Sequence, residues 1–344
     1  MRILLTGAAG FIGGETAARL LAGGHEVLAM THRARDLRAN DGGLLPEGGR
    51  LVFLQGDVGR ERLGLDVAAL GRVDLLLHAA AVTDFTLDDE VYQRINVGGT
   101  RHALDLAEAL GCPLLYVSTA YVSGDREGLI LEDELDCGQA FTNGYEASKA
   151  AAERLVRAAG MCAAVARPSI VMGDHATGAM RVYGSIPNLF KVMAHGLVPA
   201  MPAQPHATFD VVPVTFVAEA LAAIAERIGQ AAGKTFHIVA GQPLPVSEMR
   251  QAMCERPGLA CPDFVPPAEW DPARLPARAR RAYAAVASVY QGYLSRDPRF
   301  DDRRFRTLTG LRAPPADLPY LRRMIERAIA VGYLRPSRAD RSRP

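Results

Sequence analysis

Short, unbroken apolar runs alternate with helix-like stretches through the first half of the chain. Arg2–Thr6, Glu26–Met30, Leu51–Gln55, Val73–His78, Leu114–Ser118 and Ala163–Ala166 read as strands without a polar face. Strands of that kind are buried on both sides. Between them, Gly14–Ala22, the stretch around Glu90–Leu110, and Tyr145–Ala159 carry apolar positions at helical spacing. Strand and helix in strict alternation predict a doubly wound α/β fold on a parallel sheet.

After Arg167-Pro168 the rhythm breaks and prolines become dense, from Pro187 through Pro267. Phe209–Val212 and Thr235–Val239 still look like strands, with a helix at Val214–Ile228 between them. The expected division is a doubly wound domain over 1–172 with returns at about 207–240, and a smaller, mostly helical C-terminal cap from 173–206 and 241–344.

Composition narrows the class. The 344 residues are 49% hydrophobic and 22% charged, with a net charge of +1. That is ordinary globular usage and excludes a disordered or fibrous chain. The balance of charge leaves no footprint for nucleic acid, and the basic tail Arg335, Arg338, Arg341 and Arg343 reads as a frayed end. No apolar stretch is long enough to span a membrane, and no signal peptide is seen, so a cytoplasmic enzyme is expected. A homodimer is compatible with this reading. The five cysteines show neither zinc nor redox spacing, and a secreted disulfide framework is not expected. His175, His195, His206 and His237 are scattered, and no metal site is expected.

The first strand runs into Thr6-Gly7-Ala8-Ala9-Gly10-Phe11-Ile12-Gly13. Glycines at this spacing let the chain turn sharply at Gly7, leave Gly10 bare for a pyrophosphate, and let the helix pack closely at Gly13. The helix N-terminus then offers free N–H groups to the phosphates. An acid at the end of the second strand would hold the ribose 2′-hydroxyl of NAD, whereas an arginine suits the 2′-phosphate of NADP. Here no acid appears before Asp36, and Arg33 and Arg35 are available. NADPH is therefore the expected cofactor. Asp57, after the third strand, is placed to meet the adenine or to cap the next helix.

Tyr145 and Lys149 lie four apart and share a helix face. A lysine ammonium beside a phenol lowers its pKa from about 10 and readies it for proton transfer. Ser118, at the end of the fifth strand, is placed to orient a carbonyl or to satisfy backbone. Asn96 stands inside a helix, where it either holds a proton-relay water for Lys149 or makes a buried hydrogen bond.

Together these motifs resemble the extended short-chain dehydrogenase/reductase family over roughly residues 1–240. The resemblance implies a catalytic set of Ser118, Tyr145, Lys149 and Asn96. It also implies a cofactor site formed by Thr6, Gly7, Gly10, Phe11, Ile12, Gly13, Arg33, Asp57, Val58, Ala79, Lys149 and Pro168. Val117–Val122, Asn143–Lys149 and Arg167–Asp174 resemble the thioester-reductase and fatty-acyl-CoA-reductase branch, also called the male-sterility type. That branch implies reduction by NADPH of an acyl group carried on coenzyme A or a carrier protein. An ordinary ketone or aldehyde reductase is the alternative. A nucleotide-sugar epimerase or dehydratase is a further one, against which Arg33 stands. A non-catalytic dinucleotide sensor has no use for the Tyr145–Lys149 pair. A thioester substrate calls for an elongated, mainly apolar groove in the cap, ending near Ser118 and Tyr145. Tyr283, Tyr290 and Val286 are spaced for core packing in that cap, near Trp270 and Tyr293.

Overall fold

The computed structural model describes residues 1–336 apart from Arg35, Ser185 and Pro205. Arg35 and the basic tail residues Arg338, Arg341 and Arg343 lie outside the described residues. The elements that place the site are β1 (Arg2–Thr6), α1 (Phe11–Ala22), β2 (Glu26–Thr31), β3 (Leu51–Gln55), β4 (Leu75–His78), α2 (Gly99–Leu110), β5 (Leu114–Val117), α3 (Gly144–Ala158) and β6 (Ala163–Pro168). They are followed by β7 (Ile170–Met172), α4 (Ile186–Ala194), β8 (Val211–Pro213), α5 (Val214–Glu226), β9 (Thr235–Ile238), α6 (Val246–Cys254) and α7 (Leu318–Ala330).

Seven strands form one parallel sheet in the order β9-β6-β5-β4-β1-β2-β3. Leu4 pairs with Leu28 on one side and Leu76 on the other, which fixes the register of the centre. Because side chains alternate along a strand, each strand feeds two cores. Leu4, Leu28, Leu76 and Leu114 meet Ala103, Leu106, Ala107, Ala152 and Val156 of α2 and α3. Ile3, Leu5, Val27, Leu75 and Leu77 meet Ala17 and Leu20 of α1 and Val217 and Leu221 of α5. Each fully buried Leu, Ile or Val among them contributes about 1.5–3 kcal/mol. This two-faced burial is why the strands read as unbroken apolar runs.

Of the two late segments, Val211–Pro213 pairs with Ile170–Met172 in a separate two-stranded ribbon, while Thr235–Ile238 joins the central sheet against β6. The helix expected around Glu90–Leu110 contains a π-helical stretch, Gln93–Gly98, before α2. The cap is largely helical, with α4, α6 and α7 around one apolar cluster. Within it Cys254 and Cys261 form a disulfide with Cα atoms 4.7 Å apart, a pairing their spacing did not suggest.

Candidate active site

In a doubly wound sheet ligands bind at the carboxyl ends of the strands, where the connections diverge to opposite sides. Here that crevice opens between β1 and β4, and the turn after each strand contributes to it. Gly7 sits at φ +69°, and a Cβ there would stand 2.7 Å from the Ala80 nitrogen. A Cβ on Gly13 would collide with the Gly7 carbonyl. The Gly7 carbonyl accepts from the Gly10 N–H at 2.9 Å. Gly10 caps α1 without a side chain, so the first N–H groups of α1, at Phe11 and Ile12, stay open toward an anion. The Thr6 hydroxyl ties the two turns together: it accepts from the Ala79 and Ala80 N–H groups, each at 3.2 Å, and meets His78 Nδ1 at 2.8 Å. Burial drives the His78 pKa down to about 3, so its ring is neutral, and the Thr6 hydroxyl, already accepting from two N–H groups, is left to donate a hydrogen bond to Nδ1.

The second strand ends as expected. Arg33 is exposed on the turn after β2. Asp57, after β3, accepts from the Gly59 N–H at 2.9 Å and leaves its other oxygen 3.9 Å from His32. Val58 lies against Gly99, where a Cβ would come within 3.1 Å of it. Pro168 closes β6, buried.

Helix α3 carries Tyr145 in its first turn. Asn143 caps it by accepting from the Glu146 N–H at 2.9 Å, and Glu146 reaches back to the Thr142 N–H at 3.0 Å. This reciprocal cap fixes where the helix begins and hence where the phenol stands. One turn on, the Lys149 ammonium donates to the Val117 carbonyl at 2.7 Å and lies 4.3 Å from the Tyr116 ring centre.

The hydroxyl that bears on the Tyr145 phenol is that of Thr119, which lowers its pKa against the effect of burial. Ser118 donates to Glu153 Oε2 at 3.0 Å, on the side where Arg167 grips the same carboxylate at 2.6 and 3.0 Å. β5 ends at Val117, and Thr119 caps the short turn that follows by accepting from the Tyr121 N–H at 3.3 Å. Neither Thr119 nor Glu153 was singled out from the sequence. Glu153 was legible, since it continues the four-residue spacing of Tyr145 and Lys149. Thr119 was hidden by its neighbouring hydroxyl.

The electrostatics also differ from expectation. Burial and the Glu146 charge hold the Tyr145 phenol above its usual range, partly offset by the Thr119 hydrogen bond. Burial lowers the Lys149 pKa to about 7, with Glu153 pulling the other way. The lysine is spent on the Val117 carbonyl and its own desolvation, so the phenol is not lowered. Tyr145 remains protonated across neutral pH, the form a proton donor needs. Asn96 makes buried hydrogen bonds: its side-chain carbonyl accepts from the Val82 N–H at 2.9 Å, and its amide donates to the Val82 carbonyl and to Ser148. It pins the loop after β4 onto α3 from within the π-helical stretch.

The cap reaches this site through rings. Phe85 stacks on Tyr145 at 5.7 Å and on Tyr293 at 5.9 Å and meets Tyr290 tilted at 5.5 Å. The Tyr293 hydroxyl donates to Glu146 at 2.5 Å. Tyr290 and Tyr293 are thus both core and site wall, while Tyr283 packs with Trp270 as expected. An apolar cavity of about 40 Å³ lies between α4 and α7, lined by residues that include Met172, Met180, Phe190 and Met324. None of its lining residues is Ser118, Thr119 or Tyr145. No cluster of metal-ligating side chains occurs among the described residues, and no helix among them is long and apolar enough to cross a membrane.

The model of the male sterility protein family matches residues 5–221. The chain belongs to that family. This male sterility-type enzyme is an extended short-chain dehydrogenase/reductase that uses a nicotinamide cofactor. It is 27% identical over 277 residues to a 3 beta-hydroxysteroid dehydrogenase/Delta 5-->4-isomerase of Mycobacterium tuberculosis, covering 76% of this chain and 70% of the relative. It is 32% identical over 212 residues to the glycine betaine reductase ATRR of Emericella nidulans, covering 58% of this chain and 16% of the relative. Among solved structures it resembles the terminal R domain from the myxalamid PKS-NRPS biosynthetic pathway, with a TM-score of 0.82 and 26% identity over 97% of this chain and 92% of the other.

Proposed function

We propose that this enzyme reduces an acyl thioester, on coenzyme A or a carrier protein, with NADPH as the reductant. The observation that carries the reading is the Thr119–Tyr145–Lys149 arrangement at the carboxyl edge of the sheet. It occurs in a chain that is similar along almost its whole length to a terminal R domain. The glycine turn, the open N-terminus of α1 and the Thr6-braced loop after β4 fit a dinucleotide. When bound, the nicotinamide supplies the hydride. Thr119 and Tyr145 hydrogen-bond the substrate oxygen, and Tyr145 gives it a proton. Lys149 stands one turn below Tyr145, where a ribose hydroxyl would compete with the Val117 carbonyl for its ammonium. With a thioester, hydride at the carbonyl carbon and a proton at oxygen give a hemithioacetal. Its C–S bond then breaks, releasing an aldehyde and a free thiol. NADPH rather than NADH follows from Arg33 and the absence of an acid at the end of β2.

NADPH oxidation across acyl-CoAs, carrier-bound acyl groups, aldehydes and ketones tests this reading. Turnover of thioesters is expected. A second reading, a secondary-alcohol dehydrogenase or ketone reductase, is favoured by the likeness to the hydroxysteroid dehydrogenase over most of both chains. The same three side chains serve either substrate, so the panel separates them.

A further inference from the structure

We propose that Arg181, on the cap, is a cofactor-binding residue that reads the 2′-phosphate of NADPH and so fastens the cap to the dinucleotide domain. This rests on the NADPH reading above. Arg181 follows Gly178-Ala179-Met180, well beyond the glycine turn in sequence, yet its guanidinium lies on that turn. Its Nη2 donates to the Gly10 carbonyl at 2.8 Å and to the Ala9 carbonyl at 3.3 Å. Its backbone N–H donates to Asn40 Oδ1 at 3.1 Å, and Asn40 Nδ2 donates to the Ala179 carbonyl at 2.8 Å. Asn40 is buried, and its own N–H is held by Glu15 of α1 at 2.7 Å. Cap residues 179–181 are therefore stitched to the segment that follows β2 and to the first turns of α1. Those are the two elements between which the adenosine ribose sits in a dinucleotide fold.

Two features say that something anionic belongs beside Arg181. Its Nε is buried without a hydrogen-bond partner among the described residues, an arrangement that is rare for a charged donor. Burial, and after it the positive charge of Arg38, lowers its pKa against the opposing charges of Asp36 and Glu15. Arg38 spends its own charge on Asp36 at 3.0 Å. A phosphate ester at the ribose 2′ position would meet the exposed Nη edge of the guanidinium and screen the two guanidiniums from each other. The planar fork of arginine suits that group. Gly14 is what lets this happen, because a Cβ there would collide with the Arg38 carbonyl.

The test is equilibrium titration of wild type, Arg181→Ala and Arg181→Lys with NADPH and with NADH, read by nicotinamide fluorescence. Wild type is expected to prefer NADPH. Arg181→Ala is expected to weaken NADPH by about 10- to 100-fold while leaving NADH unchanged, with Arg181→Lys between. An equal loss for both cofactors in a variant with a wild-type circular dichroism melt would place the contact on the pyrophosphate and overturn the proposal. Should Arg181→Ala not fold, Arg181→Gln carries the same comparison. A wild type that prefers NADPH, with a preference that survives removal of Arg181, overturns this inference alone. A wild type that binds both cofactors equally overturns the NADPH reading itself.

Discussion

Two adjacent hydroxyls after β5 are proposed to have different duties, and their substitution separates them. Thr119→Ala removes the hydroxyl that bonds the Tyr145 phenol and should cost turnover about 100-fold. Ser118→Ala instead removes a donor from the buried Glu153–Arg167 pair, so about 1–3 kcal/mol of stability should go while turnover changes little. Steady-state rates and urea melts of both variants check this. The reverse pattern would restore the role to Ser118. A second residue-scale expectation concerns Asp210, buried beside the Ala240 N–H at 2.8 Å. Desolvation raises its pKa from 3.8 to about 7. The folded state then binds a proton more tightly than the unfolded one, so this group's contribution to stability is present at low pH and is lost as pH rises from 3.8 to about 7. The stability of wild type minus that of Asp210→Asn should fall across that window. A difference independent of pH would contradict it. The types and spacing of Tyr145, Lys149 and the glycines were legible because helix and turn geometry set them locally. The choice between Ser118 and Thr119 was not, because it depends on where β5 ends.

At the scale of elements, the strand-to-helix turn after β1 is the tightest joint in the fold. Gly13→Ala forces a Cβ into the Gly7 carbonyl and should cost about 1–3 kcal/mol or more, with cofactor binding lost as the turn opens. Thermal melts and cofactor titration check it; a variant that melts like wild type and binds normally would show that the joint can give way. Six of the seven central strands were legible from early apolar runs, and Thr235–Ile238 from a late one, since burial on both faces leaves no polar alternation. Val211–Pro213 has the same apolar signature but pairs with Ile170–Met172, and apolarity alone does not name a partner. The π-helical stretch around Asn96 was likewise invisible, because it is stabilised by the bonds Asn96 makes to Val82 and Ser148 across the sequence.

For the whole molecule, the reaction depends on a nucleotide domain and a cap that meet at Phe85, Tyr290 and Tyr293 above Tyr145. The cap was legible only as proline-rich helix. Its ring wall was missed because a pattern that packs a core and one that walls a site are the same along a helix. Beside the phenol stand the rings of Phe85, Tyr290 and Tyr293. Binding of NADPH across both parts should raise the melting temperature, with about 2.7 kcal/mol gained at a free concentration 100 times the Kd. A shift no larger for NADPH than for NADH at matched concentration would count against the 2′-phosphate contact. The chemistry itself is decided by free-thiol release measured alongside NADPH oxidation on an acyl thioester, in wild type, Thr119→Ala and Tyr145→Phe. Thiol should appear in step with NADPH loss in wild type, at a rate about 100- to 10,000-fold higher than in Tyr145→Phe. No thiol from any thioester, together with robust reduction of a free ketone, would contradict the thioester reading.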